Sequence, residues 1–235
     1  MTGFVIAIDG PSGTGKSTVA REVARRLRAG YLDTGAMYRR VSLAVLRAGV
    51  DPHDDQAVEK LLPQLTFSSP TDPDEQRHLG PDGEVTDEIR SGPVTLAVTP
   101  VSANPAVRAY LFTRQHELAH SGRMVVEGRD IGTVIAPDAE LKIFLTADAT
   151  ERARRRPRQH AEIGASTENT GAVGDDAGEI AAVQRDLYRR DSSDTAREHA
   201  PLAAADDAVR LDSSADGPAE TVDKVLTLAA ARGIS

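Results

Sequence analysis

Gly10-Pro11-Ser12-Gly13-Thr14-Gly15-Lys16-Ser17-Thr18 is the stretch whose reading decides the fold. Its first eight residues spell GxxxxGK[ST], and the flanks give that spacing physical meaning. The apolar run Phe4-Val5-Ile6-Ala7-Ile8 leads in as a strand. Val19, Val23 and Leu27 lead out at i, i+4 and i+8, the period of a helix with one buried face. Between them, glycines let the backbone curl until its N–H groups face inward, and the positive end of the helix completes an anion-binding nest. Lys16 would reach the β- and γ-phosphates of a bound nucleotide, and the Ser17 hydroxyl would ligate Mg²⁺. The segment from Gly10 to Thr18 is therefore expected to hold a nucleoside triphosphate.

Working outward, five short apolar or β-branched runs followed by turn residues read as buried parallel strands: residues 4–9, 30–33, 123–127, 141–146 and 208–211. Helical patterns separate them over residues 18–27, 36–46, 105–120 and 218–233, each closing near a glycine. Alternating strands and helices predict an α/β fold, a five-stranded parallel sheet covered on both faces to give three layers. Right-handed crossovers gather ligands at the carboxyl ends of such strands, where all the motifs lie.

Composition narrows the function. A chain of 235 residues can bury a good core, and its net charge of −8 argues against broad binding to nucleic acid backbones. There are no cysteines, which excludes disulfides, thiolate metal sites and a cysteine nucleophile. No window approaches the roughly 20 apolar residues of a membrane span, and the chain enters a strand almost at once, so a cytoplasmic protein without a signal peptide is expected. The basic residues are four lysines and twenty-four arginines. Lys16, Lys60, Lys142 and Lys224 all lack the NKxD context with which switch GTPases read guanine.

Two stretches break the α/β rhythm. Residues 51–88 hold eleven Asp or Glu against two Lys or Arg, with a hairpin signal at Pro81-Asp82-Gly83, and read as a small inserted subdomain with a short sheet. Residues 161–178 lack any apolar period and read as a loose loop. A helix that opens at Asp148 with capping-box spacing to Glu151 precedes that loop, carries Arg152, Arg154, Arg155 and Arg156, and is expected to stop at Pro157. It is either a mobile lid over phosphates or a solvated basic helix.

Three constellations carry chemistry. Asp33 ends the second strand, where it could hold a metal-bound water. Thr34 is the expected cap of the following helix, and Arg39, one turn in, is either a clamp for an acceptor phosphate or a surface arginine. Glu127, Arg129 and Asp130 crowd the end of the third strand beside two glycines, a position where charge is costly unless paired or used. Arg190, Asp194 and Arg197, spaced by four and three, would share one helical face, as a functional group or as an ordinary salt-bridge ladder.

In that order, IDGPSGTGKST, LDTGAMYR, DEIRSGPV, VEGRDIGTV, LKIFLTA and RRDSSDTAREHAPL closely resemble the bacterial cytidylate kinase family, over residues 3–228. The resemblance implies transfer of the ATP γ-phosphoryl group to CMP or dCMP, with Mg²⁺, on a P-loop core bearing a monophosphate-binding domain and a lid. It implies core segments at 1–34, 101–150 and 181–235, a monophosphate-binding domain at 35–100 with a small β insertion, and a lid at 151–180. It makes Lys16, Arg129 and Arg190 catalytic. Thr34, Tyr38, Arg39, Thr99, Arg108, Arg129, Asp130, Arg190, Asp194 and Arg197 would bind the acceptor, with Thr99, Arg108 and Asp130 reading cytosine, and Ser17 and Asp33 would serve the metal. Arg155 and Arg156 are candidate lid arginines. The 161–178 stretch is longer and more irregular than the family's usual lid, and Ser192-Ser193 stands where the family is often more charged. Rival readings are a P-loop kinase for UMP, AMP or shikimate, and a nucleotide-dependent binding protein. A monomer is expected, because no long apolar stripe is left unassigned.

Overall fold

The computed structural model describes residues 3–66, 68–162, 177–197 and 200–235. In chain order the elements are β1 (Phe4–Asp9), α1 (Lys16–Arg26), β2 (Gly30–Asp33), α2 (Thr34–Arg47), α3 (Asp55–Leu61), β3 (Leu79–Gly80), β4 (Gly83–Glu84), α4 (Gly92–Ala103), α5 (Pro105–Ala119), β5 (Arg123–Gly128), β6 (Leu141–Thr146), α6 (Ala149–Glu162), α7 (Ala177–Thr195), β7 (Val209–Asp212) and α8 (Pro218–Ala230). A five-stranded sheet in the order β2-β5-β1-β6-β7 is parallel throughout. The five expected strands are all present, the last shifted by one residue.

Alternation along the central strand builds the two apolar layers. Val5 and Ala7 pack to one side with Leu32, Val126, Met37 and Leu111 from α2 and α5. Phe4, Ile6 and Ile8 pack to the other with Val19, Val23 and Val225 from α1 and α8. Ile6 and Ile8 are fully buried, and each side chain so removed from water contributes about 1.5–3 kcal/mol.

Register decides what the strands deliver. Ile8 and Asp33 both stand opposite Glu127, and Asp9 opposite Gly128, so three carboxylates arrive together at the carboxyl edge. Beside the sheet, β3 and β4 form the hairpin expected from Pro81-Asp82-Gly83.

Two local expectations are corrected. The α2 cap is Asp33, whose extended backbone lets Oδ1 accept from the Ala36 N–H at 2.9 Å. Thr34 lies inside the helix and gives its hydroxyl to the Glu127 carbonyl at 2.7 Å. The second correction is α6, which runs through Pro157 to Glu162. A proline removes one backbone bond and bends a helix without having to end it, and α6 is held from outside by packing on α7. The expected loose stretch lies for the most part outside the described residues.

Candidate active site

Gly10 turns the chain out of β1 with φ 144°, where an added Cβ would sit 2.1 Å from the Leu145 carbonyl oxygen. Only glycine fits. Gly15, at φ 88°, serves as the cap of α1 and, among the described residues, no side chain caps its first-turn N–H groups. That is the geometry of an anion site. Lys16 opens α1, is 7% exposed, and donates to the Pro11 carbonyl at 2.7 Å. Burial, and then the Arg129 charge, bring its pKa down to about 7.

Thr34, Tyr38, Arg39, Thr99 and Arg108 line one cleft beside the P-loop. Arg129, Asp130, Arg190, Asp194 and Arg197 line it as well, together with Ser12 of the loop itself. The cleft is open to solvent along one side. Arg129 bridges its two ends: it donates to Gly10 O at 3.0 Å and Ser12 Oγ at 2.9 Å, while its Nε meets Asp194 at 2.9 Å. Burial opposes the Arg129 charge, yet Asp194 and Asp191 hold its pKa above the usual arginine value.

At the far end Arg108 and Asp130 form a directly hydrogen-bonded ion pair, 11% and 7% exposed. Burial raises the Asp130 carboxyl and Arg108 pulls it back. The Arg108 guanidinium also lies 5.7 Å from the centre of the Tyr38 ring. Arg39 reaches Ile89 O at 3.1 Å and Thr95 Oγ1 at 2.9 Å, which ties α2 to the start of α4. Arg197 pairs with Asp194 and reaches Ser102 Oγ at 2.8 Å. The spacing of Arg190, Asp194 and Arg197 therefore marks both a salt bridge and a wall of the cleft.

Asp33 ends β2 opposite Glu127, and Ser17 lies in the first turn of α1. Asp33 Oδ2 lies 3.4 Å from Arg90, and the Ser17 side chain lies close enough to the buried Glu127 to hold its carboxyl down. Burial and then the Asp33 charge raise the Glu127 carboxyl. Two carboxylates at adjoining strand ends, with the Ser17 hydroxyl from the first turn of α1, would suit one hard cation that arrives with phosphates and keeps some water.

Sequence reasoning overlooked several groups here. Asp9 is buried, its two oxygens accept from the Ile131 and Gly132 N–H groups at 2.9 and 2.8 Å, and burial lifts its pKa to about 6. An acid ending an apolar strand was the available signal. Tyr31 donates its hydroxyl to Glu127. Arg155 donates to Ser213 O at 2.7 Å, Ser213 Oγ at 3.0 Å and the P-loop carbonyl of Thr14 at 3.4 Å, and Arg152 reaches the P-loop at Ser12 O, 3.1 Å away. The Arg156 side chain lies outside the described residues.

A five-stranded parallel sheet, a phosphate-cradling loop at its centre and an arginine-lined cleft alongside define the class as a P-loop nucleotide kinase. A family profile described as Cytidylate kinase matches residues 6–231, and the chain belongs to that family. A cytidylate kinase of Mycolicibacterium paratuberculosis is 48% identical over 225 residues, covering 95% of this chain and 94% of that one. Rhodococcus opacus has one 48% identical over 230 residues, 97% and 96% of the two chains. The Geobacillus kaustophilus cytidylate kinase is 41% identical over 223 residues, 95% of each.

Proposed function

We propose that this chain is an ATP:CMP/dCMP phosphotransferase: an acceptor phosphate oxygen attacks the ATP γ-phosphorus, the bond to the β-phosphate oxygen breaks, and ADP and CDP or dCDP are formed. The observation that carries it is the buried Arg108–Asp130 pair, set in the same cleft as Ser12 and Arg129 of the phosphate end. Cytosine's exocyclic amine is a donor that Asp130 can accept, and Arg108 can donate to the carbonyl or ring nitrogen. Uracil puts a carbonyl where the amine stands and leaves buried groups unpaired, which discriminates strongly.

In this reading Lys16 and the first turn of α1 hold the donor phosphates, and Arg39, Arg129 and Arg190 hold the acceptor phosphate. Tyr38 and Thr99 wall the base, Thr34 lies beside the acceptor, and Asp194 and Arg197 lie toward the ribose. Phosphoryl transfer asks little covalent chemistry of the protein; alignment, neutralisation of oxygen charge and exclusion of water do most of it. Ser17, with Asp33 and Glu127 at hand, would hold magnesium, which would supply charge neutralisation on the donor phosphates. The reading carries with it a monophosphate-binding domain at 35–100, a lid at 151–180, and a monomeric cytoplasmic enzyme. No described helix is long and apolar enough to cross a membrane.

A coupled assay across CMP, dCMP, UMP, AMP and shikimate tests it. CMP and dCMP should lead in kcat/KM by at least about 10²-fold. Clear preference for UMP, AMP or shikimate would overturn the acceptor assignment, and hydrolysis with no transfer to any acceptor would favour a nucleotide-dependent binding protein.

A further inference from the structure

Every polar atom of Ser12, the third residue of the P-loop, is engaged. Its N–H donates to Asp191 Oδ1 at 3.1 Å, its carbonyl accepts from Arg152 Nη1 at 3.1 Å, and its hydroxyl accepts from Arg129 at 2.9 Å. Asp191 Oδ2 pairs directly with Arg152, and both side chains are about seven-eighths buried, at 14% and 13% exposure. Arg152 Nε is buried with no hydrogen-bond partner among the described residues. The Asp191 charge also acts on Lys16 and on Arg129. One carboxylate from α7 thus sits against a P-loop amide among three cations, a donor set suited to a phosphoryl group. One turn further along α7, Asp194 holds Arg129 and Arg197 on the acceptor side.

We propose that Asp191 is an internal stand-in for the terminal phosphate of the donor: it fills the anion position at Ser12 and keeps Arg152 at the loop until the ATP γ-phosphate replaces it and takes over Arg152. Two anions cannot share that corner without strong repulsion in a partly dehydrated site. Exchange therefore drives Asp191, and α7 with it, away from the P-loop. Asp194 rides on the same helix, so arrival of the donor is passed to Arg129 and Arg197, which face the acceptor. Asp191 acts through Arg152 and the loop and is a positioning residue. The inference rests on ATP being the donor in the function proposed above.

Calorimetric titration of the full chain with ATP, ADP and inorganic tripolyphosphate, each with Mg²⁺ and without acceptor, tests it. Asp191→Asn, which keeps the shape and removes the charge, should bind ATP and tripolyphosphate about tenfold tighter. ADP, which has no γ-phosphate, should change by less than about twofold. Asp191→Glu, which keeps the charge, should retain the wild-type ratio of ATP to ADP affinity. A purely structural Asp191 would instead damage the loop and weaken ATP and ADP together. An unchanged or lowered ATP-to-ADP ratio in Asp191→Asn melting like the wild type would overturn the proposal. Should Asp191→Asn melt early, Asp191→Ser gives the same readout. CMP binding is titrated separately, so its failure would count against the acceptor assignment and leave the ATP-to-ADP comparison intact.

Discussion

Lys16 shows what the P-loop does to a single residue. In solution its ammonium would stay charged to about pH 10; here burial brings the value down to about 7, with Arg129 pushing the same way and Glu127 and Asp191 opposing. A charge held at a loss by burial would become favourable beside phosphates, so in the proposed role its energy goes into binding and turnover more than into folding. Lys16→Met should therefore lower turnover by roughly 10²–10⁴-fold while the melting temperature stays level or rises. Kinetics paired with a thermal melt check this, and a folded variant with near-normal turnover would end the role assigned to Lys16. What was legible at this scale is local: the turn at Gly10, Lys16 at the start of α1, and Asp130 just past the end of β5. Asp33 was read as a metal-side acid, and its part in capping α2 depended on the backbone angles of its turn.

Among the elements, the β3–β4 hairpin depends on one buried group. His78 is 3% exposed and its Nδ1 has no hydrogen-bond partner among the described residues. Burial lowers its pKa to about 4; Asp33 and Glu84 pull it up, and Arg90 and Arg40 push it down. This is a base with a folded value below its unfolded one, near 6.5, so as pH falls below about 6.5 the unfolded chain takes up a proton that the folded chain refuses. Stability should drop between pH 6.5 and 4 by up to about 3 kcal/mol. His78→Phe should flatten that part of the curve, and equal slopes in denaturant titrations of the two proteins would rule the histidine out. Helix α4 illustrates what pattern reading misses: Gly92-Pro93-Val94-Thr95 and Pro100 have poor helix propensity, yet packing on α2 and α5 makes these residues helical. Packing on α7 likewise carries α6 past Pro157.

Across the whole molecule, the donor and acceptor groups meet through side chains from distant segments. Arg129 from the end of β5, Ser12 from the P-loop and Asp194 from α7 are joined in one network. Each ligand at about 100 times its Kd should stabilise the fold by about 2.7 kcal/mol. If the network couples the sites, a non-hydrolysable ATP analogue and CMP together should raise the melting temperature by more than the sum of their separate shifts. Strict additivity would show two independent sites. The P-loop, the five strands and the β3–β4 hairpin were set by the sequence alone, because a loop spacing, a buried apolar run and a turn signal each act within a few residues. Tertiary structure alone decided that Arg152 and Arg155 both reach the phosphate loop, Arg155 by way of Ser213 as well, and that Asp191 lies among three cations. Those partners are up to 179 residues apart, and what unites them is the way α6 and α7 cross the carboxyl edge of the sheet, a matter of packing that no local pattern encodes.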